Sequence, residues 1–228
     1  MRNYLTEFIG TFFLVLTVGL TVVNQVPMAP LAIGASLMVM VYMGGHVSGG
    51  HYNPAVSLAV LMNGKMSSVG EFFGYVASQL AGAIAATLVV YGVLGQSFVP
   101  APAEQASVTG ALLIELLYTF ALALVVLNSA ASAKTHGNSF YGLAIGFTIV
   151  VAAFAGGPIS GGAFNPAVGL GPAVVHAAVG AGSVGHVWLY LVGPLAGGAL
   201  AAVVFGLQER EPLQLHAEPS QRPESRPA

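Results

Sequence analysis

The sequence predicts an all-α membrane protein: six transmembrane helices and two re-entrant half-helices, arranged as an inverted repeat. Three observations predict it. The 228 residues are 56% hydrophobic and 6% charged, whereas a soluble domain carries about 25% charged residues. Apolar runs fall at about 4–23, 30–48, 70–94, 108–130, 139–157 and 185–207, each long enough to cross a bilayer. The first half of the chain recurs in the second.

The first run, MRNYLTEFIGTFFLVLTVGL, opens like a secretory leader, with Arg2 ahead of apolar residues. Glu7 interrupts it, and no small-x-small cleavage site precedes NQVPMAP, so the expectation is a helix that stays. Polar or glycine-rich breaks separate the later runs: NQVPMAP, LMNGKMSS, GQSFVPAPAEQAS, SAKTHGNS and the stretch 156–184. Arg2, Lys65, Lys134 and Arg210 are each separated by two full spans, so all lie on one side of the membrane. The other three connections carry no Lys or Arg, and the positive-inside rule puts both termini in the cytoplasm. The expected organisation is a channel domain over 1–207, with repeats at about 4–94 and 108–207. A Pro/Glu-rich tail over 208–228 is expected to be a disordered cytoplasmic segment.

The repeat is specific. EFIGTFFLVLTV at 7 matches ELLYTFALALVV at 115, LAIG at 31 returns at 143, and SGG-x-x-NPAV at 48 returns at 160. YVASQLAGA at 75 is echoed by YLVGPLAGG at 190. Each half holds three spans, an odd number, so the second half enters from the opposite face. An inverted repeat of this kind places its site at the midplane, between the halves.

Each half also carries Asn-Pro-Ala: Asn53, Pro54, Ala55 and Asn165, Pro166, Ala167. Asn is a strong N-cap, and Pro suits the first helical turn. The apolar run after Asn53 is about ten residues at most before Asn63-Gly64, roughly half a bilayer at about 1.5 Å per residue. Two such half-helices entering from opposite faces meet near the centre. Irregular backbone at that depth is tolerated where it is buried in protein or lines a cavity. Gly49, Gly50, His51 and Tyr52, and Gly161, Gly162, Ala163 and Phe164, are therefore expected to run extended and present carbonyls to a narrow pore. The Asn amides supply donors, and the helix N-termini supply positive potential that repels cations. A lone Asn-Pro is an ordinary capped turn; two in matched inverted positions favour the pore.

On these motifs the chain resembles the major intrinsic proteins, the aquaporins and aquaglyceroporins, over about residues 4–207. The resemblance rests on TEFIGTFFLV, GGHVSGGHYNPAVSLA, YVASQLAGA, the second Glu-x-x-x-Thr-Phe, SGGAFNPA and WLYLVGPLAGGALAA. It implies an aquaporin-like right-handed bundle of six tilted helices and two half-helices, one pore per subunit, and a homotetramer. Most members carry Arg directly after the second NPA; this chain has Val168. The positions matching the family's selectivity filter are Ile33, Ala153, Gly162 and Val168, a set with no aromatic, His or charge. Replacing Arg by Val widens the outer constriction and makes it apolar. Expected permeants are water, glycerol, urea, ammonia and neutral metalloid acids. A wide apolar ring also favours dewetting, and loss of the Arg removes one barrier to ions; both outcomes stay open. Phe154 and Phe164 are the nearby aromatics able to refill the ring.

Other polar residues carry competing readings. Glu7 and Glu115 lie inside spans, which is costly unless they are satisfied. They serve either as a proton relay or as acceptors for the backbone N–H groups of the re-entrant loops, and the repeat symmetry and the family favour loop support. His46 and His51 make a poor metal pair without a third ligand. His51 is expected at the cytoplasmic vestibule and His46 as a hydrogen-bonder between loop and helix, with a pH gate as the sharper alternative. The small residues in GEFFGYVASQLAGAIAA and GPLAGGALAA are expected to let helices pack closely within the subunit.

No cysteine, catalytic set or metal motif is present, and no cofactor is implied. No basic face suits nucleic acid. The leading function is a passive channel in the cell (plasma or inner) membrane, with lipid, water and small neutral solutes as partners. A strictly water-selective channel and an ion-coupled secondary transporter are the alternatives, the latter disfavoured by the absence of Asp.

Overall fold

The computed structural model describes residues 1–209, and every element is helical. Helix α1 spans Arg2–Val23, α2 Ala29–Ser48, α3 Pro54–Met62, α4 Val69–Leu94, α5 Val108–Val126, α6 Tyr141–Ala155, α7 Gly157–Ser160, α8 Pro166–Ala178 and α9 Leu189–Glu209. A π-helical turn, Leu127–Ala131, extends α5 to the end of the expected fourth run.

Five helices are long and apolar enough to cross a membrane: α1, α2, α4, α5 with its extension, and α9. The fifth expected run behaves differently. Helix α6 has 15 residues and stops at Gly156, and the four-residue α7 follows. Pro158 explains the break, because it has no N–H to offer the carbonyl four residues back. Taken together, α6 and α7 cover 141–160, which is α2 shifted by the repeat offset of 112. Helix α9 ends at Glu209, two residues beyond the expected boundary at 207. Gln208 accepts a hydrogen bond from Asn128 at 2.9 Å, and Glu209 one from Ser132 at 2.9 Å. The remainder of the expected disordered tail lies outside the described residues.

Packing follows the repeat. Helix α1 lies against α4, and its counterpart α5 lies against α9. Helices α2 and α6, themselves counterparts, join the halves. Small residues make these contacts close. A Cβ on Gly82 would meet the Phe8 carbonyl at 2.5 Å, and one on Gly197 would collide with the Leu116 carbonyl. The stripes of small residues therefore bring helices together inside the subunit. The short helices α3 and α8 are held in the interior, α3 against α9 and α8 against α4.

Candidate functional site: a pore between two half-helices

Each half-helix starts as its sequence dictates. Asn53 and Asn165 have extended backbones, with φ of −157° and −161°, and Pro54 and Pro166 occupy the first helical position. The Asn53 Oδ1 accepts from the Ala55 N–H at 2.9 Å, and Asn165 Oδ1 accepts from Ala167 at 2.9 Å. Helix α3 has nine residues, as expected of a half-helix; α8 is longer, at 13, and continues through a buried Pro172.

The Nδ2 group of each Asn crosses to the other repeat. Asn53 donates to the Phe164 carbonyl at 2.9 Å, and Asn165 donates to the Tyr52 carbonyl at 2.8 Å. The Phe164 carbonyl, expected to be free for a permeant, is thus engaged in joining the halves. Its partner in the repeat, the Tyr52 carbonyl, likewise expected to face the pore, plays the same part. The loops before the Asn residues trace matching paths: φ is +90°, +63° and +48° at Gly49, Gly50 and Tyr52, and +91°, +66° and +49° at Gly161, Gly162 and Phe164. Left-handed backbone at the first two positions of each set is where glycine is needed.

Two buried carboxylates hold these loops. Glu7 accepts from Ser48 Oγ at 2.6 Å, His51 N–H at 3.0 Å, Tyr52 N–H at 2.7 Å and Gln79 Nε2 at 2.8 Å. Glu115 accepts from Ser160 Oγ at 2.7 Å, Ala163 N–H at 3.0 Å and Phe164 N–H at 2.6 Å. These bonds absorb both oxygens of each carboxylate, the arrangement of a loop support. Two tyrosines complete the set: Tyr75 donates to the Ser48 carbonyl at 2.8 Å, and Tyr190 donates to the Ser160 carbonyl. Ser48, Ser160, Tyr75, Tyr190 and Gln79 were not read as site residues. Four of the five, all but Gln79, lie where SGG and Tyr-x-x-x-x-Leu recur, a signal available in the repeat.

A narrow cavity of about 40 Å³ runs between the halves. Asn53, Asn165, His51, Ala163, Ile33, Ala153, Gly162 and Val168 border it, as do Phe164 and aliphatic residues such as Leu14, Leu37, Leu122 and Ile149. A second, wider cavity opens at the end that carries Lys65, and it includes Gly49, Glu71 and Tyr75. His51 and Val126 border both. His51 is 8% exposed, and its Nδ1 lies 3.0 Å from Ser57 Oγ.

Several expected residues fall elsewhere. Gly50 and Gly161 border neither cavity. Gly161 is the left-handed residue that caps α7 and lies against Ala101, while the Gly50 N–H is turned to Ser48 Oγ. Phe154 is 46% exposed and away from both cavities, so it does not refill the constriction, whereas Phe164 is buried edge-on against Tyr118, borders the first cavity and brings its ring to 3.5 Å from where a Cβ on Gly162 would stand. His46 is exposed and makes no side-chain hydrogen bond among the described residues; Ser48 bonds loop to helix instead. No cluster of three metal-ligating side chains occurs among the described residues.

A family model described as "Major intrinsic protein" matches residues 1–205. This chain belongs to the major intrinsic protein family. Its members are channels, not enzymes, and the chain is accordingly a multi-pass membrane protein. A "Glycerol uptake facilitator protein-like 6" of Lactiplantibacillus plantarum is 37% identical over 217 residues, covering 89% of this chain and 95% of the relative. Aquaporin TIP2-3 of Arabidopsis thaliana is 35% identical over 222 residues, covering 90% and 86%. The crystal structure of an aquaglyceroporin from Plasmodium falciparum superposes with a TM-score of 0.78 at 23% identity, covering 90% of this chain and 94% of that one. That likeness shows the fold.

Proposed function

We propose that this major intrinsic protein is a passive channel for water and small uncharged solutes, among them glycerol, urea, ammonia and neutral metalloid acids. The filter is the ring of Ile33, Ala153, Gly162 and Val168. One observation carries the reading: all four border the same cavity as Asn53 and Asn165, and none is charged or aromatic. A small polyol or amide needs both kinds of group that line this cavity, a few polar ones and many aliphatic side chains. The relatives' names, a glycerol uptake facilitator-like protein and an aquaglyceroporin, agree with it.

Passive flux is favoured over ion coupling because Glu7 and Glu115, the carboxylates within the bundle, are consumed by loop hydrogen bonds. The end carrying Arg2, Lys65 and Lys134 is cytoplasmic on this reading, and the wider cavity is the inner vestibule. Four copies, each with its own pore, form the working assembly in a cell membrane. The test is stopped-flow light scattering of proteoliposomes under osmotic gradients of glycerol or urea. Flux that is independent of ions, with a low activation energy, is expected. Flux that requires a sodium or proton gradient would overturn the channel reading.

A further inference from the structure

The two re-entrant loops are near copies, but the space beside their first left-handed glycine is filled differently. Beside Gly49 the neighbour is the loop's own His51, whose Nε2 would lie 2.9 Å from an added Cβ. The matching residue in the second loop is Ala163, too short to reach. There the place is taken by Ala101, from the segment that joins the repeats. Its carbonyl oxygen would lie 2.6 Å and its nitrogen 2.8 Å from a Cβ on Gly161. Gly161 is chain neighbour to Gly162 of the filter.

The joining segment is firmly seated. Pro100 and Pro102 flank Ala101 and restrict its backbone. Phe98 is buried against Gly19 and Val90. The Ala103 N–H donates to the Ile159 carbonyl at 3.0 Å. At the other end, Ser97 Oγ lies 2.9 Å from Nδ1 of His176, in the last turn of α8. The His176 Nε2 in turn faces Gly182, 3.1 Å from where a Cβ would stand. Residue 64, which matches His176 in the first repeat, is a glycine with nothing near it. The repeat fold therefore closes without this bond.

We propose that Ser97 and His176 form a latch that holds the Pro100-Ala101-Pro102 segment against the second re-entrant loop, and that this latch sets the size cut-off of the outer constriction. His176 and Ser97 are positioning residues: neither borders the pore cavity. They act on Gly162 through Ala101 and Gly161. The inference rests on the filter assignment above.

The test is the largest solute admitted by proteoliposomes, using the series water, formamide, urea, glycerol and ribitol, each rate divided by that for water. Ser97→Ala and His176→Ala should each raise the ratio for the first poorly admitted solute about fivefold, the factor for releasing one hydrogen-bonded restraint. The double variant should exceed neither single one, because both remove the same bond. Ser97→Thr, which keeps the hydroxyl, should retain the parent ratio, whereas mere structural damage would lower water flux without shifting the cut-off. If the parent admits water alone, the solute assignment fails, and the latch is then judged by whether the variants first admit formamide. Unchanged ratios in folded Ser97→Ala and His176→Ala protein would overturn the latch.

Discussion

The side chain of Asn53 spans the boundary between the repeats to reach the Phe164 carbonyl, 2.9 Å away, and Asn165 returns the bond to Tyr52. One residue type thus caps its own half-helix, ties it to the opposite one and borders the pore. Asn53→Ala removes a cap and a cross-repeat bond, and a loss of about 2 kcal/mol is expected. Asn53→Asp keeps the capping oxygen but loses the donor. Thermal unfolding in detergent should therefore rank the parent above both variants, Asn53→Asp included, because its second oxygen would face the Phe164 carbonyl oxygen.

The buried carboxylates act as acceptors only. In Glu115→Gln an amide group replaces one oxygen and faces backbone donors at Ala163 or Phe164. A destabilisation of about 3 kcal/mol follows from a buried donor left without a partner. Water flux should fall with it, because the loop that carries Gly162 loses its support. A proton relay would instead leave the stability of Glu115→Gln near that of the parent while abolishing proton-linked flux.

Tyr75 and Tyr190 make the same bond in opposite halves, to the Ser48 and Ser160 carbonyls. Removing either hydroxyl, as Phe, should cost about 1 kcal/mol. The two losses should add, since each brace belongs to a separate loop. A melting series of the two single variants and the double checks this.

Glycines in one helix should respond in opposite ways to alanine. A Cβ on Gly82 meets the Phe8 carbonyl, and Gly82→Ala should cost about 1–3 kcal/mol by forcing α1 and α4 apart. Gly92, in the same helix, has open space around it, and Gly92→Ala should gain up to about 1 kcal/mol of helix propensity. Unfolding temperatures of the two variants, moving in opposite directions, are the check.

Much of this was legible because the repeat doubles every local signal. Asn-Pro-Ala fixes a capped half-helix by local chemistry alone, and its second copy fixes the partner. The break between α6 and α7 was legible too, in Pro158, but an apolar run read by length alone passes over it. The crossing bonds of Asn53 and Asn165 were not legible, since they join residues more than 110 apart whose carbonyls carry no side-chain signature. The seat of Ala101 on Gly161 was hidden for the same reason: it is backbone against backbone. Gly50 and Gly161 were assigned to the pore wall because glycine permits exposed backbone. In the fold their left-handed φ serves the turn instead.

On the proposed function, the apolar ring at Ile33, Ala153, Gly162 and Val168 admits solutes larger than water. Val168→Arg tests it most directly, because it places a long cation and its donors in that ring without touching the Asn residues or the buried carboxylates. Glycerol and urea flux should be measured in proteoliposomes of parent and variant, with water flux alongside. The parent is expected to pass glycerol or urea, and Val168→Arg to stop them while water still crosses. A parent that passes water alone, with Val168→Arg unchanged from it, would rule out a wide filter at this ring.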